Sequence, residues 1–378
     1  MVIVKMFSLL LLLVVANSFY LYKLPSTGTP LSARQLSRLA LDKKNDKLLV
    51  FGGSSEGSLY FDDLWEFDIQ NRVWTKITPV SDEKPEARIA FCMFGDSETS
   101  LVYLFGGENK LGYLSDMWVY YRDPMSWSKL TTKGATAPAF TRFAYTSYRD
   151  SSNKLKIAVT YGETMTGTDK NVYVFDVETW TWTKNTSNGD PPQHDVDSEM
   201  TYYNGKLYLY GGRNTDYNND LRLYSYDFTT QTWSGLTTTN SPKERETHGT
   251  VVYGDYLYVL PGWTGIEEYD DGEIKRINLK TGSTAWETLK IDSESEAKAF
   301  FPRDSYGYVI TGSLVYFSCG FREDGIVNNV VTLDLSQSPL KYEVISENFE
   351  SPPSRTNHSI LSIGTKLYMF GGKGTTGK

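Results

Sequence analysis

The chain has 378 residues, 40% hydrophobic and 14% aromatic, with 27 Tyr and 9 Trp, a composition that supplies a large strand-built core and excludes a disordered or long-helical protein. A formal charge of -8 and a pI near 5.1 exclude nucleic acid as the expected partner, because neutralising phosphates requires a basic face. All-β toroids of this length fold as one domain, so length does not demand a division.

Residues 1–18, MVIVKMFSLLLLLVVANS, carry one Lys, an almost unbroken apolar run and small residues at Ala16 and Ser18. This is the pattern of an export leader, with cleavage expected after Ser18. The run from Met6 to Ala16 is shorter than the roughly 20 apolar residues of a membrane-crossing helix. The expectation is a signal peptide at 1–18 and a protein secreted or held in the secretory-pathway lumen, with no membrane span after cleavage. An uncleaved anchor through residues 6–16, and an apolar strand of the fold itself, are the alternatives. Cys92 and Cys319 fall in different repeats of the register below, so no disulfide is expected between them. Of two sequons, Asn185-Thr186-Ser187 and Asn357-His358-Ser359, the first is expected in an accessible loop, which makes Asn185 the glycosylation candidate.

Seven segments then recur along the chain: LLVFGG, LVYLFGG, IAVTYGE, LYLYGG, LYVLPG, VYFSCG and LYMFGG, spaced by about fifty residues. After each glycine signal except the last comes a variable loop and a second strand-like run: LWEFD, MWVYY, VYVFD, LRLYSYD, EIKRINL and VVTLDL. Asp63, Asp116, Asp220 and Asn329 stand just ahead of four of these runs, where a short acceptor side chain holds a turn. A short strand marked by Trp74, Trp127, Trp182, Trp233 and Trp286, with Tyr342 in the sixth copy, comes next, and these aromatics are expected to pack between repeats. A Pro-containing connection ending in Arg leads to another apolar strand and the next glycine signal.

In this order, strand A, strand B ending in Gly-Gly, strand C with aromatics and Asp, strand D with Trp, the chain resembles the kelch family over residues 19–378. The resemblance implies an all-β, kelch-type β-propeller of the galactose-oxidase-like superfamily: four-stranded antiparallel blades around a central channel. Six complete repeats begin near Gln35, and residues 356–372 supply only the A and B strands of a seventh. Tyr20 to Leu24 repeats the pattern of Val73 to Ile77, so a seventh blade closed by N- and C-terminal strands is expected. It has three strands if the leader is removed, and four if Leu10 to Ala16 is retained as its strand C.

In an A-B-C-D meander the B–C and D–A loops emerge on one side and the tight A–B turns on the other, so recognition is expected on the B–C and D–A side. The loop after the fifth glycine signal is the first candidate: Trp263 and Tyr269 are anchor residue types, and Glu267, Glu268, Asp270 and Asp271 suit a basic partner. Packing of Trp263 on its neighbour in a solvated loop is the competing reading, and the spacing does not match a calcium-binding loop. The second candidate is Arg88, Arg142, Arg245, Arg303 and Arg355, with Phe91, Tyr145, His248, Tyr306 and His358 three residues later. Such arginines grip a carboxylate or an acidic peptide, or they tie adjacent blades together; Asp195 breaks the pattern in the fourth repeat.

Galactose-oxidase-like propellers use a copper centre of two tyrosines, two histidines and a cysteine cross-linked to one tyrosine. Here only His194, His248 and His358 are present, and neither Cys belongs to such a motif. The iron pattern of plant specifier propellers, Glu, Asp and His at four-residue intervals, is not met: His248 is preceded by Glu244 and Asn240, His358 by Ser354 and Glu350, and His194 by Asp190 and Thr186. No catalytic residue, cofactor or metal is therefore expected. The reading is a monomeric, non-catalytic propeller presenting its B–C and D–A loops to a protein or glycan. The alternative is a sugar-handling enzyme at the channel mouth, similar to the exported propellers that interconvert sialic acid anomers.

Overall fold

Alternation along short apolar runs, broken by Gly, Asn and Asp turns, favours antiparallel meanders over any helix. The computed structural model describes residues 10–15, 18–23, 27–28, 31–55, 59–193, 196–213, 221–264, 273–292, 302–345 and 353–374. Their one helical element is the short 3-10 turn Lys43–Asn45. Six repeats each fold into consecutive antiparallel strands A-B-C-D. The first is Arg38–Asp42, Lys47–Phe51, Leu64–Asp68 and Val73–Ile77; the second Cys92–Gly95, Val102–Phe105, Met117–Tyr121 and Ser126–Lys129; the third Ala144–Arg149, Leu155–Thr160, Val172–Asp176 and Thr181–Asn185. The fourth is Glu199–Tyr203, Lys206–Tyr210, Leu223–Asp227 and Thr232–Leu236; the fifth Thr250–Tyr253, Tyr256–Val259, Lys275–Asn278 and Glu287–Thr288; the sixth Gly307–Thr311, Leu314–Ser318, Val330–Asp334 and Lys341–Val344. This is an all-β propeller with six complete blades.

The last copy contributes strand A, Ser359–Ile363, and strand B, Lys366–Phe370. They lie in a sheet whose order continues with Leu10–Val15 and then Ser18–Lys23, all antiparallel, with Leu10 opposite Met369 and Leu13 opposite Lys366. Its strand A packs against strand A of both the sixth and the first repeats. Gly372 N–H donates to the Arg34 carbonyl at 2.8 Å, and the Phe370 ring lies 5.3 Å from Trp74.

Burial follows position in the blade. Strand B is covered on both faces, as in the almost wholly buried runs Lys47–Phe51 and Lys206–Tyr210. Strand D is half solvated, burying its Trp and its last residue, Ile77 in the first repeat and Asn185 in the third. Each of these indoles packs on the aromatic ending strand B of the preceding repeat: Trp127 on Phe51 at 5.6 Å, Trp182 on Phe105 at 4.9 Å, Trp233 on Tyr161 at 5.7 Å and Trp286 on Tyr210 at 5.5 Å. Such pairs add roughly 0.5–1.5 kcal/mol beyond the area they bury. Adjacent blades are thus joined through their aromatics, as the repeat predicts. In the fifth repeat strand D shrinks to Glu287–Thr288, although Trp286 beside it is buried.

One inter-blade device escapes sequence reading. On leaving strand D, the D–A connection pairs in parallel with strand D of the next blade: Thr27–Gly28 with Val73–Trp74, Lys133–Gly134 with Thr181–Trp182, and Asn188–Gly189 with Thr232–Trp233. The glycines have φ of +97°, +78° and +85°, and a Cβ on any of them would lie 2.1–2.3 Å from the tryptophan carbonyl oxygen. Cys92 and Cys319 are both buried and form no disulfide. Among the described residues no helix is long and apolar enough to cross a membrane.

Candidate functional site

Isolated bridges join the end of each D–A connection to the residue just past the glycine signal: Gln35 to Ser54, Ile89 to Glu108, Thr141 to Glu163, Val196 to Arg213, Glu246 to Trp263, Asp304 to Phe321 and Thr356 to Lys373. The B–C and D–A loops therefore share one face, as the meander requires. The residue after each D–A bridge partner has a positive φ: Leu36, Ala90, Arg142, Asp197, Thr247, Ser305 and Asn357.

That register corrects the arginine set. The residue two positions before the left-handed one is Arg34, Arg88, Phe140, Asp195, Arg245, Arg303 or Arg355, so Arg142 is not a member and Arg34, missed in the sequence, is. Tyr145 likewise leaves the aromatic set, and Phe143 takes its place. Asp195, His194 and Asp220 lie outside the described residues. Arg34, Arg88, Arg245, Arg303 and Arg355 are all buried. Arg88 donates to both carboxylate oxygens of Asp116 (2.6 and 2.8 Å) and to the Gly106 carbonyl (3.1 Å); Arg34 does the same with Asp63 and Gly52. Arg245, Arg303 and Arg355 donate to the carbonyls of Leu260, Cys319 and Gly371, each at 3.0 Å. Burial works against ionised Asp63 and Asp116, but the hydrogen bond and charge of Arg34 and Arg88 prevail and hold both carboxyls below their usual range. The main chain of these arginines faces the other way: the Arg88 carbonyl accepts from Gly53 N–H of the preceding repeat at 3.0 Å. A Cβ on Gly52, at φ +66°, would come within 2.8 Å of that oxygen, which is the physical reason for the Gly-Gly signal. These arginines tie adjacent blades.

The rim of the loop face is charged and cross-linked. Arg213 reaches Glu246 at 2.9 Å and Asp197 at 3.6 Å, while Arg142, half exposed, lies 3.8 Å from Asp197. Burial raises the pKa of both Asp197 and Glu246 against the pull of these arginines. Tyr113 donates to Glu163 at 2.8 Å, linking B–C hairpins of adjacent blades. On this face the B–C loops expose apolar side chains, Leu59, Leu111, Met165, Leu221 and Phe321, with Leu111 91% exposed. The other three exposed large hydrophobics described lie at the C–D side: Met125 and Trp180 in C–D turns, and Val80, whose N–H donates to the Met125 carbonyl at 3.1 Å. Beside Met165 opens a cleft of about 560 Å³, lined by Pro138, Ala139, the hairpin 164–171 and Ser187.

Inside the channel the strand-A register places a second group that sequence reading missed. Glu199 accepts from Tyr308 Oη at 2.9 Å, and Arg38 Nε donates to the Phe91 carbonyl at 3.0 Å with its guanidinium 5.9 Å from the Tyr145 ring. Burial pushes the Glu199 carboxyl up to about 7, against the Tyr308 hydrogen bond and the Arg38 charge and helped by Asp197. The signal was present in the sequence, as two charges among small residues at one repeat position, but it emerges only when the left-handed residues fix the alignment.

Trp263 is half buried in its bridge with Glu246; Glu267, Glu268, Tyr269, Asp270 and Asp271 lie outside the described residues. The expected accessibility of Asn185 is corrected: it ends a strand D, is buried, and donates from Nδ2 to the Val172 carbonyl at 3.3 Å. His358 is buried against Ser318 Oγ at 2.7 Å, and burial lowers its pKa to about 3. Among the described residues no three His, Cys, Asp or Glu gather as metal ligands.

A model of the KLHDC2/KLHL20/DRC7 Kelch-repeats domain matches residues 6–155 and again 152–372. The bovine Rab9 effector protein with kelch motifs is 28% identical over 211 residues, 53% of this chain and 55% of that protein. Rat host cell factor 1 is 25% identical over 258 residues, 59% of this chain and 12% of that one. The N-(sulfonatooxy)prop-2-enimidothioate sulfolyase of Thlaspi arvense is 26% identical over 226 residues, 54% of this chain and 63% of that enzyme. The chain thus spans about half the length of the Rab9 effector and far less of host cell factor 1.

Proposed function

The chain belongs to the kelch-repeat family, and from that premise we propose that it is a protein-binding propeller whose partner seats on the B–C and D–A loop face. One observation carries this: five of the eight exposed large hydrophobics described, Leu59, Leu111, Met165, Leu221 and Phe321, belong to B–C loops of that face. These apolar tips stand on successive hairpins, two of which are tied by the Tyr113–Glu163 hydrogen bond, and together they supply the apolar part of an interaction surface. The charged rim of Arg142, Asp197, Arg213 and Glu246 supplies the polar border around it. Relatives named as a Rab9 effector and a host cell factor support the same class of role.

The rigidity that such a face needs comes, in this reading, from a seventh blade made of both chain ends. Support comes from the pairing of Leu10–Leu13 with Lys366–Met369 and from the contacts of Gly372 and Phe370 with Arg34 and Trp74. It requires that Leu10–Val15 remain in the mature chain. N-terminal sequencing of the protein from cells tests this: a start upstream of Leu10 agrees, and a start at Phe19 leaves a three-stranded blade and an exported protein.

The binding reading is tested by affinity capture with Leu111→Asp/Met165→Asp/Phe321→Asp beside Met125→Asp/Trp180→Asp on the C–D side. Interactors held by the wild type are expected to disappear with the first variant and persist with the second. Retention by both, or loss with the second alone, contradicts the assignment.

A further inference from the structure

Strand A opens at the same register in every repeat. Arg38, Cys92, Ala144, Glu199, Gly307 and Ser359 each pair with the residue before the first position of the glycine signal, and Gly249 accepts from Leu260 N–H in the equivalent place. Five of these seven side chains are small and buried or packed over, Gly249 against the Tyr308 ring and Gly307 against His358 and Ser318, so the two larger ones are what this level presents to the channel. The other two carry opposite charges. Arg38 belongs to the first repeat and Glu199 to the fourth, and the guanidinium charge is felt at the carboxylate although each group bonds elsewhere, Arg38 to Phe91 and Glu199 to Tyr308.

Two tyrosines complete the level. Tyr145 lies under the Arg38 guanidinium and also senses Glu199. Tyr308 reaches from the sixth repeat past the fifth to Glu199, and it can do so because residue 249 is glycine: a Cβ there would come within 2.9 Å of the Tyr308 ring. Glu199 and Tyr308 keep partial solvent exposure, so they line the channel rather than the packed interior.

A carboxylate and a guanidinium on different blades of the channel wall, each partly exposed, each beside a tyrosine and with no ion pair between them, make a dipolar wall. We propose that this level of the channel binds a small zwitterion, its ammonium on Glu199 and Tyr308 Oη and its carboxylate on Arg38. The site is independent of the loop-face reading and stands or falls without it. Burial, aided by Asp197, raises the Glu199 carboxyl to about 7, so near neutral pH it is only partly ionised; an arriving ammonium favours the ionised form, and binding then transfers a proton from Glu199 to the buffer.

The test titrates the full chain with glycine, β-alanine, 4-aminobutyrate and 6-aminohexanoate, which separate the two charges by increasing lengths, and with butylamine and butyrate as single-charge probes. Calorimetry near pH 7 in two buffers of different ionisation enthalpy reads affinity and proton release together. One chain length is expected to bind best, with either single-charge probe and either variant, Glu199→Gln or Arg38→Met, weaker by about tenfold or more. Proton release is expected in the wild type and absent in Glu199→Gln. Tyr308→Phe, which keeps the ring and removes only the hydroxyl, provides a variant that retains the packing, and it too is expected to weaken binding. No binding by any length, or equal affinity in wild type and Tyr308→Phe together with either charge variant, overturns the proposal.

Discussion

Arg88 is held from two sides, its carbonyl by Gly53 of the preceding blade and its guanidinium by Asp116 and Gly106 of its own. Removing the guanidinium leaves a largely buried carboxylate without its ion, so Arg88→Met is expected to cost about 3–5 kcal/mol in denaturant unfolding. Arg142→Met, at an exposed rim position, is expected to stay within about 0.5 kcal/mol, and equal costs for the two would contradict the register. Glu199 gives a prediction in pH. Its carboxyl titrates near 7 when folded, against an ordinary value of 4.5, so between those values the folded chain holds more protons than the unfolded one. Its contribution is therefore present below 4.5 and lost as pH rises toward 7. The groups facing it are Tyr308, Arg38 and Asp197, and none reverses the shift. Measured from acid to neutral, Glu199→Gln is expected to gain on the wild type by roughly 1–3 kcal/mol and then level off; parallel curves would contradict the burial account.

At the scale of elements, the periodic features were legible and the aperiodic ones were not. Strand B with its glycines and strand D with its Trp are set by blade-on-blade packing, and that packing recurs at every repeat, so residues such as Phe51, Phe105 and Trp182 announce themselves. The parallel straps Thr27–Gly28, Lys133–Gly134 and Asn188–Gly189 are two residues long and carry no apolar pattern, so nothing in the sequence separates them from loop. The misplacement of Arg142 has the same origin: where Phe140 replaces arginine, the nearest Arg sits two residues late, and only the left-handed φ of Arg142 itself betrays its true register. The straps are testable. A Cβ on Gly189 would lie 2.2 Å from the Trp233 carbonyl, so Gly189→Ala is expected to lower stability by about 1–3 kcal/mol, well beyond Gly205→Ala, whose Cβ would meet open space. Equal losses would show that the strap contributes nothing.

At the scale of the molecule, the repeats form one cooperative body because each blade buries its faces only against its neighbours. Phe370 on Trp74 and Gly372 on Arg34 extend that logic from the last repeat to the first. That the B–C and D–A loops share one side follows from strand order alone, and the bridges from Gln35 to Ser54 through Thr356 to Lys373 bear that out. The residues on that side were harder to see. Leu111 and Met165 sit singly in polar hairpins, and no period marks them; only the fold shows that both are exposed and that their hairpins are linked through Tyr113 and Glu163. The most direct measurement is amide hydrogen exchange on the chain with and without a partner recovered by the wild type. The account predicts protection in the B–C hairpins 107–114, 162–169 and 320–327 and unchanged exchange in the C–D turns 122–126 and 177–180. Protection confined to those turns or to the outer D strands would contradict it.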